Sequence, residues 1–185
     1  MLTNNSKADA LFGASLILNP DVEMRMKINQ HYRVDCFDKE GKLKWTEEFD
    51  NLVVTAGLNK YLDATLKTGL ATPLWYCGLK GTGNPAAADT MASHATWSEI
   101  TPYSNATRPA WTPGTIAAGS VSNTASKAVF TINAGTTVYG AFMADENTKG
   151  GSTGTLLGAG NFGTERVVIS ADTLNVTVTC SIAAA

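Results

Sequence analysis

His31 and His94 are the only imidazoles in the chain, so a general base titrating near neutrality has few candidates. His94 follows Ser93 and stands five residues after Asp89. This is the one cluster offering a nucleophile, a base and an orienting acid together. Sequence adjacency does not set the geometry such chemistry needs, and a hydroxyl-rich chain produces these neighbours by chance. No catalytic residue is expected here. Glu47 and Glu48 lie in a strand-like stretch, where successive side chains point to opposite faces, so they cannot act as a paired acid and base. One of the two is expected to be solvated.

Gly158-Ala-Gly-Asn-Phe-Gly163 matches G-x-G-x-x-G, whose glycines let a backbone approach a dinucleotide's pyrophosphate at a helix N-terminus. The residues after it, Thr164-Glu-Arg-Val-Val-Ile169, are β-branched and read as a strand. No acidic residue follows at the required distance of about 20 positions. The segment is expected to be a glycine-rich turn. Gly78-Leu-Lys-Gly-Thr-Gly83 places a lysine among glycines but not in the order of a phosphate loop, so it too reads as a turn ending a strand. Cys36, Cys77 and Cys180 form neither C-x-x-C pairs nor an even disulfide framework, and are expected as buried thiols. Asp145, Glu146 and Asp172 are too few and too separated to spell a calcium loop. The expectation is a protein without catalytic residues, cofactor or metal, working by binding other chains.

The 185 residues suit one domain with an extra arm, and such a length buries a core without disulfides or a metal. A net charge of -2 gives no positive field to gather nucleic acid or anionic lipid. No apolar run approaches the roughly 18 residues of a membrane helix, and residues 1–11 lack a basic-then-apolar signal pattern. Synthesis in the cytoplasm is the expectation. Residues 1–67 hold nine of the 14 basic and ten of the 16 acidic residues, leaving the rest rich in Thr, Ser, Ala and Gly. A surface so poor in charge suits a chain packed into an assembly.

Residues 1–28 read as an N-terminal arm and residues 29–185 as the domain. Residues 11–18 are apolar and stop at Asn19-Pro20, after which Val22, Met24, Met26 and Ile28 alternate with charged residues at strand period. The arm's apolar side chains need a partner, either its own core or a neighbouring subunit. Residues 32–37 and 43–49 form a hairpin around a turn with Gly41. Leu58, Tyr61, Leu62 and Leu66 recur at helical spacing, predicting one helix over about 55–67, with Thr55 as N-cap and Gly69 as its end. Further strands are expected at 74–79, 128–134, 136–144, from 166 and over 173–182, and a single capped turn at 89–94. About eight strands and one helix make a mainly β fold, a β-sandwich or jelly roll with one short α-helix and an extended N-terminal arm. Trp45 and Trp75 lie on strand patterns and are assigned to the core. Trp111, between Pro109 and Pro113, is the preferred interface tryptophan.

Three segments carry a family resemblance: Asn51-Leu-Val-Val-Thr-Ala-Gly-Leu-Asn-Lys-Tyr-Leu-Asp63, Trp75-Tyr-Cys-Gly-Leu-Lys-Gly-Thr-Gly-Asn-Pro-Ala-Ala-Ala-Asp-Thr90, and residues 160–179. The chain resembles, over about residues 29–182, small accessory structural proteins of tailed bacteriophages, among them head decoration or cement proteins. The resemblance implies a virion component bound to the major capsid protein and to neighbouring copies of itself, a homo-oligomer on the outer capsid surface. It equally admits a tail or fibre component, including a receptor-binding domain. Leu11, Phe12, Leu16, Leu18, Val22, Met24, Met26 and Trp111 are the candidate subunit and capsid contacts.

Overall fold

The computed structural model describes residues 26–67 and 74–184. Two antiparallel sheets pack face to face. The first consists of β2 (Leu43–Asp50), β1 (Met26–Phe37), β10 (Thr173–Ala184) and β6 (Ser120–Ser122) in that order, with β7 (Ala128–Thr131) also pairing with β10. The second runs β3 (Leu52–Val53), β9 (Leu156–Val168), β8 (Thr136–Ala144), β4 (Tyr76–Lys80), β5 (Glu99–Ile100). With one helix, α1 (Thr55–Leu66), this is the mainly β sandwich that the alternating segments predict.

Strand period decides which side chains enter the core. Tyr32, Val34 and Cys36 of β1 and Leu174, Val176, Val178 and Cys180 of β10 are buried on one inner face. Cys77, Leu79, Val138, Ala141, Met143 and Phe162 meet them from the other sheet. The β1–β2 hairpin turns as its sequence predicts: Gly41 sits at φ +80°, and Asp38 Oδ1 accepts the backbone N–H groups of Glu40 and Lys42 at 3.1 and 2.8 Å. The second sheet has an apolar layer on its outer face as well, where Val54, Met91 and Trp97 pack on Phe142, Ala144 and Leu156.

Several expectations need correction. The boundary drawn after residue 28 falls inside β1, because Met26, Lys27 and Ile28 already pair with Ala184, Ala183 and Ile182. Residues 158–163 are not a turn; they lie within β9. The glycines there serve close packing, since a Cβ on Gly160 would lie 2.7 Å from the Phe49 ring and one on Gly158 2.6 Å from Leu52 O. At residues 89–94 the expected capped turn is present, but Thr90 rather than Asp89 caps it: the chain bends at 91–92, and Ser93 N–H donates to Thr90 O at 3.2 Å and to Thr90 Oγ1 at 3.0 Å. Val54, not Thr55, is the helix N-cap, and it makes no side-chain capping bond. The Thr55 N–H donates to Ala87 O at 2.9 Å, so the loop of residues 81–97 satisfies one of the helix's four free N-terminal donors.

The helix is turned differently from what leucine spacing suggests. Its buried residue is Gly57, whose hypothetical Cβ would stand 2.2 Å from Leu157 O of β9. A glycine costs a helix about 1 kcal/mol relative to alanine, so intrinsic propensity favours Gly57→Ala. Overpacking a rigid backbone contact costs roughly 1–3 kcal/mol, and at this separation the upper end applies. Gly57→Ala is therefore expected to lower stability by about 2 kcal/mol net in a urea melt; an increase would show that the helix can lift off β9 freely.

Candidate interaction surface

The titratable groups singled out from the sequence are engaged in structure. His94 Nδ1 pairs with Trp97 O at 2.8 Å and its ring stacks on the Trp97 indole at 4.0 Å. Asp89 Oδ2 accepts from Trp97 Nε1 and from Ala86 N, both at 2.9 Å. The acid and the base thus each hold Trp97 and not one another, and Ser93 lines the rim of an open cleft beside them. Glu47 and Glu48 point to opposite faces as expected: Glu47 is buried and paired with Arg166, whereas Glu48 is exposed and bonded to Arg33 at 2.6 Å. All three thiols are free and buried. Burial pushes Cys36 up to about 12 and raises Cys77 and Cys180 as well, so each is held in the protonated, weakly nucleophilic form. Among the described residues no group of three or more His, Cys, Asp or Glu could hold a metal ion.

Two buried cations were not legible in the sequence. Arg108 is wholly buried and bonds Glu99 in bidentate fashion, Nε to Oε1 at 3.1 Å and Nη2 to Oε2 at 2.7 Å. Lys80 is also fully buried, and no carboxylate forms an ion pair with it among the described residues.

A second feature without an internal role is apolar. A groove of about 530 Å³ opens between α1 and the segment leading into β6. Tyr61 and Ala64 of α1 line it together with Trp75, Trp111, Ile116 and Val121, and Cys180 of β10 reaches it as well. Trp111 is positioned by two bonds, its N–H to Trp75 O at 2.8 Å and its indole N–H to Val178 O at 3.1 Å. One side of Trp111 therefore packs on the core while the rest lines the groove. Trp45 and Trp75 pack against the core while staying partly exposed, and the deeply buried tryptophan is Trp97.

The groove's surroundings extend it. Leu58, Leu62 and Leu66 of α1 are 39%, 52% and 77% exposed, and Leu74 and Ile116 are 71% and 74% exposed. Positions 58, 62 and 66 follow one another at four-residue intervals and so form one stripe along the helix, adjoining the groove-lining Tyr61 and Thr65. A stripe of this kind ordinarily faces a core. Here Gly57 sets the helix against β9 and leaves the leucines outside.

Of the sequence-based interface residues, Trp111 lies in this groove and Met26 begins β1. Leu11, Phe12, Leu16, Leu18, Val22 and Met24 lie outside the described residues. Tyr61, Leu62, Leu74, Trp75 and Ile116 were not identified as surface contacts, because spacing reports an apolar face without saying which way it turns. No family model matches the chain, and no curated protein matches it either.

Proposed function

We propose that this protein is a structural component of a tailed-phage particle, a decoration protein seated on the outer capsid surface. The observation that carries the reading is the apolar groove together with the leucine stripe beside it. Contiguous apolar surface of this sort marks an interaction site. Its occupant on this reading is the capsid subunit beneath. The resemblance of residues 51–63, 75–90 and 160–179 to phage accessory proteins supplies the particle, and the net charge of -2 suits the face away from DNA.

Magnitudes indicate how such a protein would be held. Fully burying a leucine or isoleucine contributes roughly 1.5–3 kcal/mol, so the exposed parts of these five side chains, about three side chains' worth, supply about 5–9 kcal/mol gross. Losing free translation and rotation costs about 4–15 kcal/mol, plus the ordering of side chains. One copy through this surface alone binds weakly. Retention then comes from repetition, with neighbouring copies and the arm's apolar residues adding contacts that act through avidity.

Copy number in purified virions tests this reading. Quantified against the major capsid protein, the chain should be present at a fixed, near-lattice ratio to capsid subunits. A handful of copies per particle would assign it to the tail or a fibre instead, and its absence from virions would remove it from the particle.

A further inference from the structure

Lys80 and Asn161 stand on either side of a central strand. Both pair with Gly140 of β8, Lys80 from β4 and Asn161 from β9, so they occupy one rung of the sheet two strands apart. Lys80 Nζ reaches across to Asn161 Oδ1 at 2.7 Å. Its other acceptors are the backbone carbonyls of Gly81, at 3.0 Å, and of Gly83. The Trp97 ring lies 5.6 Å away. The Asn161 amide nitrogen is held in turn by Asn84 Oδ1 at 2.8 Å, which fixes the amide plane.

From this juxtaposition we propose that Lys80 and Asn161 become joined by an amide bond between Nζ and Cγ, an internal cross-link between β4 and β9 that spans β8. With a carbonyl bond of about 1.2 Å, Cγ lies within about 4 Å of the amine. Attack requires Nζ to leave its hydrogen bond to Oδ1 and turn about the lysine's terminal torsions until its lone pair faces Cγ. Holding an amine this close replaces a bimolecular encounter by an intramolecular one, with effective molarities of about 10⁵–10⁸ M in well-oriented cases. Burial pushes the Lys80 ammonium down to about 8, against a smaller upward pull from Asp89. The neutral, nucleophilic amine is therefore reached more readily than in an exposed lysine.

In the reaction the Nζ–Cγ bond forms, the Cγ–Nδ2 bond breaks, one proton passes from Nζ to Nδ2, and ammonia leaves. No oxidant or other reactant is consumed. The step removes the fold's buried cation that lacks an ionic partner and releases a small molecule, both of which favour it. No carboxylate contacts the pair among the described residues, so the reaction proceeds as slow maturation rather than at an enzymatic rate. The product ties together residues 81 positions apart in sequence. This inference stands independently of the capsid reading.

Intact-mass spectrometry of the full chain, freshly purified and after several days at 37 °C and pH 8.5, provides the test. The expected result is a mass below the sequence value by one ammonia, with a branched tryptic peptide joining the segments around Lys80 and Asn161. Lys80→Met and Asn161→Ala should each restore the full sequence mass. The proposal is overturned if the wild-type chain keeps its full mass after incubation, if Asn161 gains one mass unit by deamidation, or if the deficit maps elsewhere. Should either variant fail to fold, the branched peptide of the wild-type chain decides by itself.

Discussion

Arg108→Ala is expected to cost about 3–5 kcal/mol of folding stability, as when one partner of a buried ion pair is removed. The guanidinium is completely buried and every direction it points is occupied. Besides Glu99 it donates to Glu146 O and Gly151 O, each at 2.8 Å, and it lies 5.2 Å from the Phe142 ring. Glu99 also accepts from Gly150 N at 2.8 Å and Tyr103 Oη at 3.3 Å. Removing the cation leaves a buried carboxylate without its counter-charge and two carbonyls without their donor. In a chain of this size the loss corresponds to a melting temperature lower by roughly 6–20 °C. Arg108→Met with Glu99→Gln should cost less than the single alanine change, because no unpaired charge remains. Urea melts of the three proteins decide the matter, and a single-variant loss below about 1 kcal/mol would show that water reaches the pair.

Neither Arg108 nor Lys80 announces itself in sequence, and the reason is physical. A charged residue is buried only where distant groups satisfy it. Glu99 is nine residues from Arg108, Gly151 is 43 away, and Asn161 is 81 from Lys80. Local period, by contrast, is written in neighbouring residues. That is why the hairpin of β1 and β2 follows from alternation, whereas Thr136–Ala144, covered on both faces, reads as a short apolar run after a glycine. Strands β3, β5 and β6 are two or three residues long, too short to show a period. Residues 158–163 misled for a related reason: glycines that mark turns in most contexts serve here to let β9 pass close to Phe49 and Leu52.

The candidate surface was half legible. Trp111 stood out because prolines around it deny it local partners, and it does line the groove. The helical spacing of Leu58, Leu62 and Leu66 predicts the helix but not its facing, and in the fold they turn outward. One glycine, Gly57, decides this, because its missing side chain lets the helix rest on Leu157 O by that edge. A helical wheel registers apolar residues and their angles but not which edge has room to approach a sheet.

The central claim is that the chain works by docking this apolar surface onto a capsid, and co-sedimentation with capsids lacking the protein tests it most directly. Leu62→Asp combined with Ile116→Asp changes two side chains that are already largely exposed, so the variant should melt like the parent protein. On the capsid the two changes together forfeit about 2–4 kcal/mol of burial, and each aspartate adds the cost of desolvating a charge, so the pair should weaken binding by about 100-fold or more. The predicted result is that the parent chain saturates the particles while the folded variant stays in the supernatant at the same concentration. A variant that melts normally and still saturates them at the parent's concentration would contradict the account.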